Sequence, residues 1–248
     1  MRSRLRAIGV GIGVGVLGML VSLVLLLATG LTLSTAGVEI GPVVSIGLTL
    51  FLTQGLSFMG VGYLYLRRRE ISLASIGVRL PSLRGLGVAV GALLLSMIYL
   101  MAASQVIQYF GAETAENNVV QMGMENPEIL LLLIPGAYLF IGPGEELLFR
   151  GVVQNRIREV FPPVSGVVVA SIIFVAIHLP ALSFGAPLSA KLTSLVVLMG
   201  PSLILGGIYE YTDNLVVPIL VHGSYDALLF IALYAQATTD MGGGAVLF

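Results

Sequence analysis

Two adjacent carboxylates and a guanidinium, Glu145, Glu146 and Arg150, stand in "IGPGEELLFRG", directly after the apolar run "EILLLLIPGAYLF". The only two histidines also sit in apolar surroundings, His178 in "SIIFVAIHLP" and His222 in "VVPILVHGSYDALLF", the latter four residues before Asp226. A charge inside a membrane segment costs at least a few kcal/mol, so such residues rarely lack a task. A carboxylate and an imidazole in a partly dry cavity can activate water; the same set can also hold a metal or pass protons.

Whether these residues lie in a membrane is decided by composition. The chain has 248 residues, 57% hydrophobic and 10% charged, with a mean hydropathy of +1.01. Soluble domains carry about 25% charged residues, so an all-α, polytopic integral membrane helix bundle is expected. The net charge of −1 and the lack of a basic run give no reason to expect a nucleic acid partner. The absence of cysteine excludes disulfides, thiolate metal sites and a thiol nucleophile.

A membrane helix needs about 20 apolar residues. About seven spans are predicted, over 7–29, 42–66, 85–110, 128–157, 164–180, 190–210 and 214–235, forming one membrane domain over 1–248. "MRSRLR" resembles the start of a signal peptide, but the apolar stretch from Leu5 to Thr29 exceeds the roughly 7–15 residues of a signal core and reads as a retained span. Gly9, Gly11, Gly13 and Gly15 in that span have the small-residue spacing of close helix contacts. Pro127, after Asn126, reads as a helix start, and Pro143 between two glycines as a loosening of the helix that admits water.

Arg2, Arg4, Arg6, Arg67, Arg68, Arg69, Arg79, Arg84, Arg156 and Arg158 fall on one side of a seven-span bundle, with Lys191 the exception. That side is expected to be cytoplasmic, which places the N-terminus inside the cell membrane and the C-terminus outside. Tyr63, Tyr65, Tyr209 and Tyr211 fall at the same interface. The opposite loop, with Glu113, Glu116, Glu125 and Glu128, carries no basic residue.

At about 1.5 Å per residue, Glu145 and His178 both lie roughly 20–25 Å from the turn near Pro162, and His222 roughly 12–15 Å from the turn near Asp213. The three can converge. Glu146 and Arg150, four apart, share a helix face and can pair; Glu145 points about 100° away and has no such local partner. His222 and Asp226, and Phe174 and His178, are also four apart.

"EELLFR", "FVAIH" and "HGSYD" read as EExxxR, FxxxH and HxxxD, in that order on three spans. This resembles the family of CAAX prenyl proteases and bacteriocin-processing enzymes, also called CPBP or Abi, over roughly Glu128 to Tyr234; a catalytic core over 128–235 follows. The resemblance implies a glutamate-dependent intramembrane endopeptidase in which Glu145 and His178 activate a water. It also implies Glu146 and Arg150 as a supporting pair, with Phe174 in the second motif, and His222 as an oxyanion donor. Where the family often has asparagine, this chain has Asp226, which cannot donate when ionised; either it is protonated or it orients His222 by accepting the other ring N–H. The expected partners are the lipid bilayer and a peptide or protein substrate, lipidated or not, met in a cavity open to the cytoplasm. No cofactor is expected.

Other readings fit the same residues. Glu145, His178 and His222 are a two-histidine, one-carboxylate set compatible with zinc, although HExxH is absent. A proton-coupled transporter or channel would also use intramembrane acids, though these cluster at one depth. Glu146–Arg150 could be a structural ion pair, the histidines interhelical hydrogen bonds and Asp226 a packing acid, in a catalytically dead scaffold or an immunity-type binding protein.

Overall fold

The computed structural model describes residues 2–239; the expected exterior C-terminus, residues 240–248, and the end of the 1–248 domain lie outside the described residues. Among these residues, seven helices are long and apolar enough to cross a membrane: α1 (Arg2–Thr35), α2 (Pro42–Arg68), α3 (Leu83–Phe110), α5 (Pro127–Arg158), α6 (Pro163–Ile177, extended by a 3₁₀ turn to a span of Pro163–Ala181), α7 (Leu188–Thr212) and α8 (Val216–Thr238). The short α4 (Asn118–Glu125) lies in the loop before α5, capped by the Asn117 side chain accepting from the Val119 N–H at 2.9 Å. No strand forms among the described residues; Asn117 and Leu182 make one isolated bridge. The all-α membrane bundle expected from composition is the fold observed.

All seven predicted spans are present, several longer at their ends because amphipathic termini continue a helix past its apolar stretch. Pro127 opens α5. The arginine-rich ends meet as predicted. Arg4 lies over the Phe161 ring, Arg69 pairs with Glu159 at 3.4 Å, Arg158 with Glu210 at 2.8 Å, and Arg79 donates to the Asp213 carbonyl at 2.8 Å. These contacts form one rim. Lys191, at the other end, donates to the Phe184 carbonyl.

Leucines, valines and isoleucines are exposed along α1 and α3, among them Leu20, Leu27, Leu31, Val90, Leu94 and Ile98. Lipid takes these side chains, so helix association rests on close fit rather than on apolar burial. Of the four glycines singled out in α1, Gly11 and Gly15 face the bundle, whereas a Cβ at Gly9 or Gly13 would meet nothing. The contact stripe continues through Gly18 and Ser22. A Cβ at Gly15 would stand 3.2 Å from Ile177 Cδ1, and one at Gly18 3.1 Å from Leu148 Cδ2. Thus α1 lies against the two helices that carry Glu145 and His178.

The helix backbone widens to i→i+5 hydrogen bonding in three places, Phe51–Met59 in α2 and Ala137–Ile141 and Leu147–Gln154 in α5. Such segments are rare and frequent at functional sites. Here two of them bracket Glu145 and Glu146, and the third faces them.

Replacing Gly15 by leucine should overpack the α1 contact and cost about 1–3 kcal/mol, read as a lower thermal unfolding midpoint in detergent. Gly13→Leu should leave the midpoint unchanged; equal losses in both would mean that the α1 stripe is not where the structure places it.

Candidate active site

Glu145 and Glu146 are both buried, 6% and 0% exposed, at adjacent positions of one turn of α5. Their neighbours differ. Glu146 Oε2 lies 3.3 Å from Arg150 Nε, and its Oε1 accepts from His222 Nδ1 at 2.8 Å. Arg150, itself 0% exposed, reaches the Ser202 carbonyl and hydroxyl on α7, each at 3.4 Å. Its guanidinium stacks 4.6 Å over the Phe174 ring. One ion pair on α5 thereby grips α6, α7 and α8.

Glu145 faces the other way. Its Oε1 accepts from Gln54 Nε2 of α2 at 2.9 Å. Its Oε2 has no protein hydrogen-bond partner and lies 3.6 Å from His178 Nε2 and 3.8 Å from His222 Nε2. His178 Nδ1 is 2.8 Å from the Phe174 carbonyl, which can only accept, so Nδ1 carries a proton. In the neutral ring Nε2 is then a lone pair, turned toward the lone pairs of Glu145 Oε2. Two buried acceptors facing each other across 3.6 Å need a donor between them, and a single water can serve both.

Glu145, His178, His222 and Asp226 come together, with Phe174 under both imidazoles: ring centroids are 4.3 Å apart to His178 and 6.5 Å to His222. Asp226 differs from its expected place. Its Oδ2 approaches His222 Nε2 at 3.5 Å, the nitrogen that also faces Glu145. The other ring nitrogen is held by Glu146, because the packing of α8 against α5 brings that carboxylate closer, at 2.8 Å, than the one four residues along α8, at 3.5 Å. Orientation of His222 through its other N–H is therefore the work of Glu146.

Pro143 lies between two widened stretches of helix, Ala137–Ile141 and Leu147–Gln154. Helical backbone runs through Gly142–Glu146, and the flanking glycines serve close approach. A Cβ on Gly144 would stand 2.6 Å from the Gln54 carbonyl oxygen and one on Gly142 3.0 Å from the Ile219 carbonyl oxygen. Bare backbone lets α2 and α8 come near enough to touch the carboxylates.

Gln54 and Ser202 were not singled out from the sequence. The signal for Gln54 was an amide alone in the apolar stretch "LFLTQGLSF", to which the reasoning for intramembrane charges applies equally. Ser202 carried no signal beyond its neighbour Pro201.

A cavity of about 430 Å³ adjoins Glu145, His178 and His222. Its walls run from the middle of the bundle, where Leu205 and Val221 line it, to Thr114, Asn117 and Leu182 in the loops at the end remote from the arginine rim. It had been expected to face the arginine end. The reason for the difference is depth: roughly 20–25 Å of helix from the turn near Pro162 carries His178 past the middle of a hydrocarbon core about 30 Å thick.

The tetrahedral edges of a zinc site with ligands at about 2.0–2.1 Å are about 3.3–3.4 Å, shorter than the 3.6 and 3.8 Å separations here. Among the described residues, no group of three or more His, Asp or Glu side chains has the arrangement to hold a metal ion.

Fold and site together define a polytopic helical membrane protein with a buried carboxylate–imidazole centre. Residues 127–228 match the family described as type II CAAX prenyl endopeptidase Rce1-like. This segment contains the three motifs whole, whereas Gln54 lies outside it. The uncharacterized protein YpbD of Bacillus subtilis (strain 168) is 30% identical over 138 residues, 54% of this chain. The match covers 62% of YpbD, less than two thirds of its length. No solved structure matches the chain.

Arg150→Ala should strip the partner from a buried carboxylate and destabilise the protein by about 3–5 kcal/mol, seen as a large fall in the detergent unfolding midpoint. Glu145→Gln keeps the shape of a side chain that lacks an ion-pair partner of this kind, and should leave the midpoint nearly unchanged.

Proposed function

We propose that the protein is an intramembrane endopeptidase that hydrolyses peptide bonds of membrane-borne or lipidated substrates with a water activated by Glu145 and His178. The observation that carries this reading is the unpartnered Glu145 Oε2 facing the His178 Nε2 lone pair across 3.6 Å.

The chemistry follows from the donors and acceptors. A water between the two gives one proton to Glu145 while its oxygen bonds the carbonyl carbon of the substrate. The carbonyl oxygen becomes an oxyanion. His222 can donate to it from Nε2 only when both ring nitrogens carry protons, since Nδ1–H is used by Glu146. Collapse of the tetrahedral intermediate breaks the C–N bond, and the proton held by Glu145 passes to the departing amine. Gln54 fixes the Glu145 carboxylate through Oε1, leaving Oε2 for water. Asp226, beside the positive ring of His222, balances its charge.

In this reading residues 128–235 carry the catalytic groups within one membrane domain, and the first two spans supply Gln54 and part of the wall. The arginine rim marks the cytoplasmic face, in keeping with the charge rule, and the N-terminus belongs to that side of the cell membrane. No metal takes part.

The test compares membranes from cells producing wild type, Glu145→Gln, His178→Ala, His222→Ala and Asp226→Asn, reading new peptide N-termini by mass spectrometry. Cleavages present in wild type should fall by about 10²–10⁴ in Glu145→Gln and His178→Ala. His222→Ala should lose most activity and Asp226→Asn should keep a substantial part. Cleavage indifferent to Glu145→Gln sinks the reading. Metal content of the purified protein is measured alongside: near-stoichiometric zinc that falls in the Glu145, His178 and His222 variants would replace the metal-free mechanism with a zinc one.

A further inference from the structure

The loop between α2 and α3 is fixed against the turn between α7 and α8. Leu215 N–H donates to the Gly77 carbonyl at 3.0 Å, and Asn214 Nδ2 donates to the Arg79 carbonyl at 3.2 Å. Gly77 has left-handed backbone (φ 79°), and a Cβ there would stand 2.5 Å from the Asp213 carbonyl oxygen, so this approach needs glycine. The loop, the turn and the first turns of α3 enclose a second cleft, of about 380 Å³, at the arginine rim. It shares no lining residue with the cavity beside Glu145.

The charged residues that line this cleft are Arg79 and Arg84, with no carboxylate among them. Each guanidinium is anchored through one nitrogen. Arg79 Nη2 donates to the Asp213 carbonyl at 2.8 Å, and the exposed Asp213 carboxylate lies 3.5 Å from the same nitrogen. Arg84 Nη2 donates to the Tyr211 hydroxyl, and its Cζ lies 5.2 Å from the centre of that ring. The Nε and Nη1 donors of both arginines remain for a ligand. So does the proton of the Tyr211 hydroxyl, which only accepts from Arg84. Anchored, forked donors of this kind suit the oxygens of a phosphate. A choline or ethanolamine headgroup would add a cation beside two others.

The surroundings indicate where the phosphate comes from. Leu80 on the cleft wall and Leu83 beside it are 92% and 88% exposed. Below Arg84, on the same face of α3, come Gly87, Gly91 and Leu95, all exposed. A Cβ at Gly87 or Gly91 would meet nothing, so this strip of helix is bare and open to lipid. From Arg84 to Leu95 it runs about 16 Å, about half of a hydrocarbon core some 30 Å thick. A free phosphate ion makes no use of such a strip; a lipid tail does.

We propose that this rim cleft binds the phosphate of an anionic membrane phospholipid, whose acyl chain lies along the bare strip of α3. Arg79, Arg84 and Tyr211 hold the headgroup. The site is independent of the peptidase reading and stands without it.

The chain contains no tryptophan, so a single introduced one reports its own lipid neighbours. Leu83→Trp stands beside the cleft. Leu64→Trp, also exposed, stands on α2 near Arg67, Arg68 and Arg69, none of which lines the cleft. Each variant is reconstituted in phosphatidylcholine bilayers with increasing phosphatidylglycerol brominated in its acyl chains, and fluorescence quenching gives the relative association constant. At Leu83→Trp it should favour phosphatidylglycerol by at least about tenfold, and at Leu64→Trp by no more than about threefold. Adding Arg79→Gln or Arg84→Gln should lower the first value to the second, whereas Arg84→Lys should keep at least half of it. Millimolar inorganic phosphate at fixed ionic strength should leave it unchanged.

Equal preference at the two tryptophans would mean diffuse attraction to the rim and overturns the cleft. Preference indifferent to Arg79→Gln and Arg84→Gln, or lost as fully in Arg84→Lys as in Arg84→Gln, overturns the role of the guanidinium charges. Preference abolished by inorganic phosphate makes the ligand a free ion and overturns the lipid.

Discussion

The arrangement depends on one ion pair that water cannot reach. Glu146 and Arg150 are both fully buried in the middle of a bundle whose outer surface belongs to lipid. Neither charge could be held there alone, because a buried unpaired ion costs several kcal/mol. Four residues of helix put them within 3.3 Å of each other, and one oxygen of the carboxylate and one nitrogen of the guanidinium reach other helices. The carboxylate takes the His222 N–H on α8, and the guanidinium takes Ser202 on α7 and the face of Phe174 on α6. The charge needed to hold the helices together is thus the charge that sets the histidine's orientation.

With that pair satisfied, the neighbouring glutamate can remain incompletely paired. Glu145 receives one hydrogen bond, from Gln54, and presents its second oxygen to two imidazole nitrogens at 3.6 and 3.8 Å. These separations are too long for direct hydrogen bonds of normal strength and short enough for one small molecule to touch both sides. Bare backbone makes the arrangement possible. Gly144 brings α2 against the carboxylates, Gly142 does the same for α8, and the Gly11–Gly15–Gly18 stripe of α1 lies on the outer side of the same two helices, α5 and α6. The widened backbone before and after Gly142–Glu146 turns the two glutamates toward different partners without breaking the helix.

The spans and their polarity were legible in the sequence because length and hydropathy alone decide what can cross a bilayer, and the arginines mark one rim. The convergence of Glu145, Glu146, Arg150, His178, His222 and Asp226 was legible because charges in apolar helices are few and their spacing fixes their faces. Partners chosen by tertiary approach were not. Whether His222 Nδ1 would meet Asp226, four residues away, or Glu146, on another helix, depends on the crossing of α5 and α8, which local spacing does not specify. Gln54 was hidden for a related reason. An amide adds no charge to a hydropathy profile, yet in lipid it needs a partner almost as much. The direction of the cavity depended on which ends of the spans stay apart, which hydropathy does not reveal.

The same low dielectric that makes unpaired groups costly makes the paired ones effective. In water, a carboxylate and an imidazole 3.6 Å apart would each be solvated and largely indifferent to one another. In an aliphatic cleft, the solvent between them is reduced to what their own lone pairs can hold, and a water so held already points its protons at the groups that can take them. The mostly aliphatic wall therefore contributes to the chemistry by what it keeps out. In the proposed reading, reactivity rests on one physical condition, the exclusion of bulk water around a carboxylate oxygen that no protein group hydrogen-bonds.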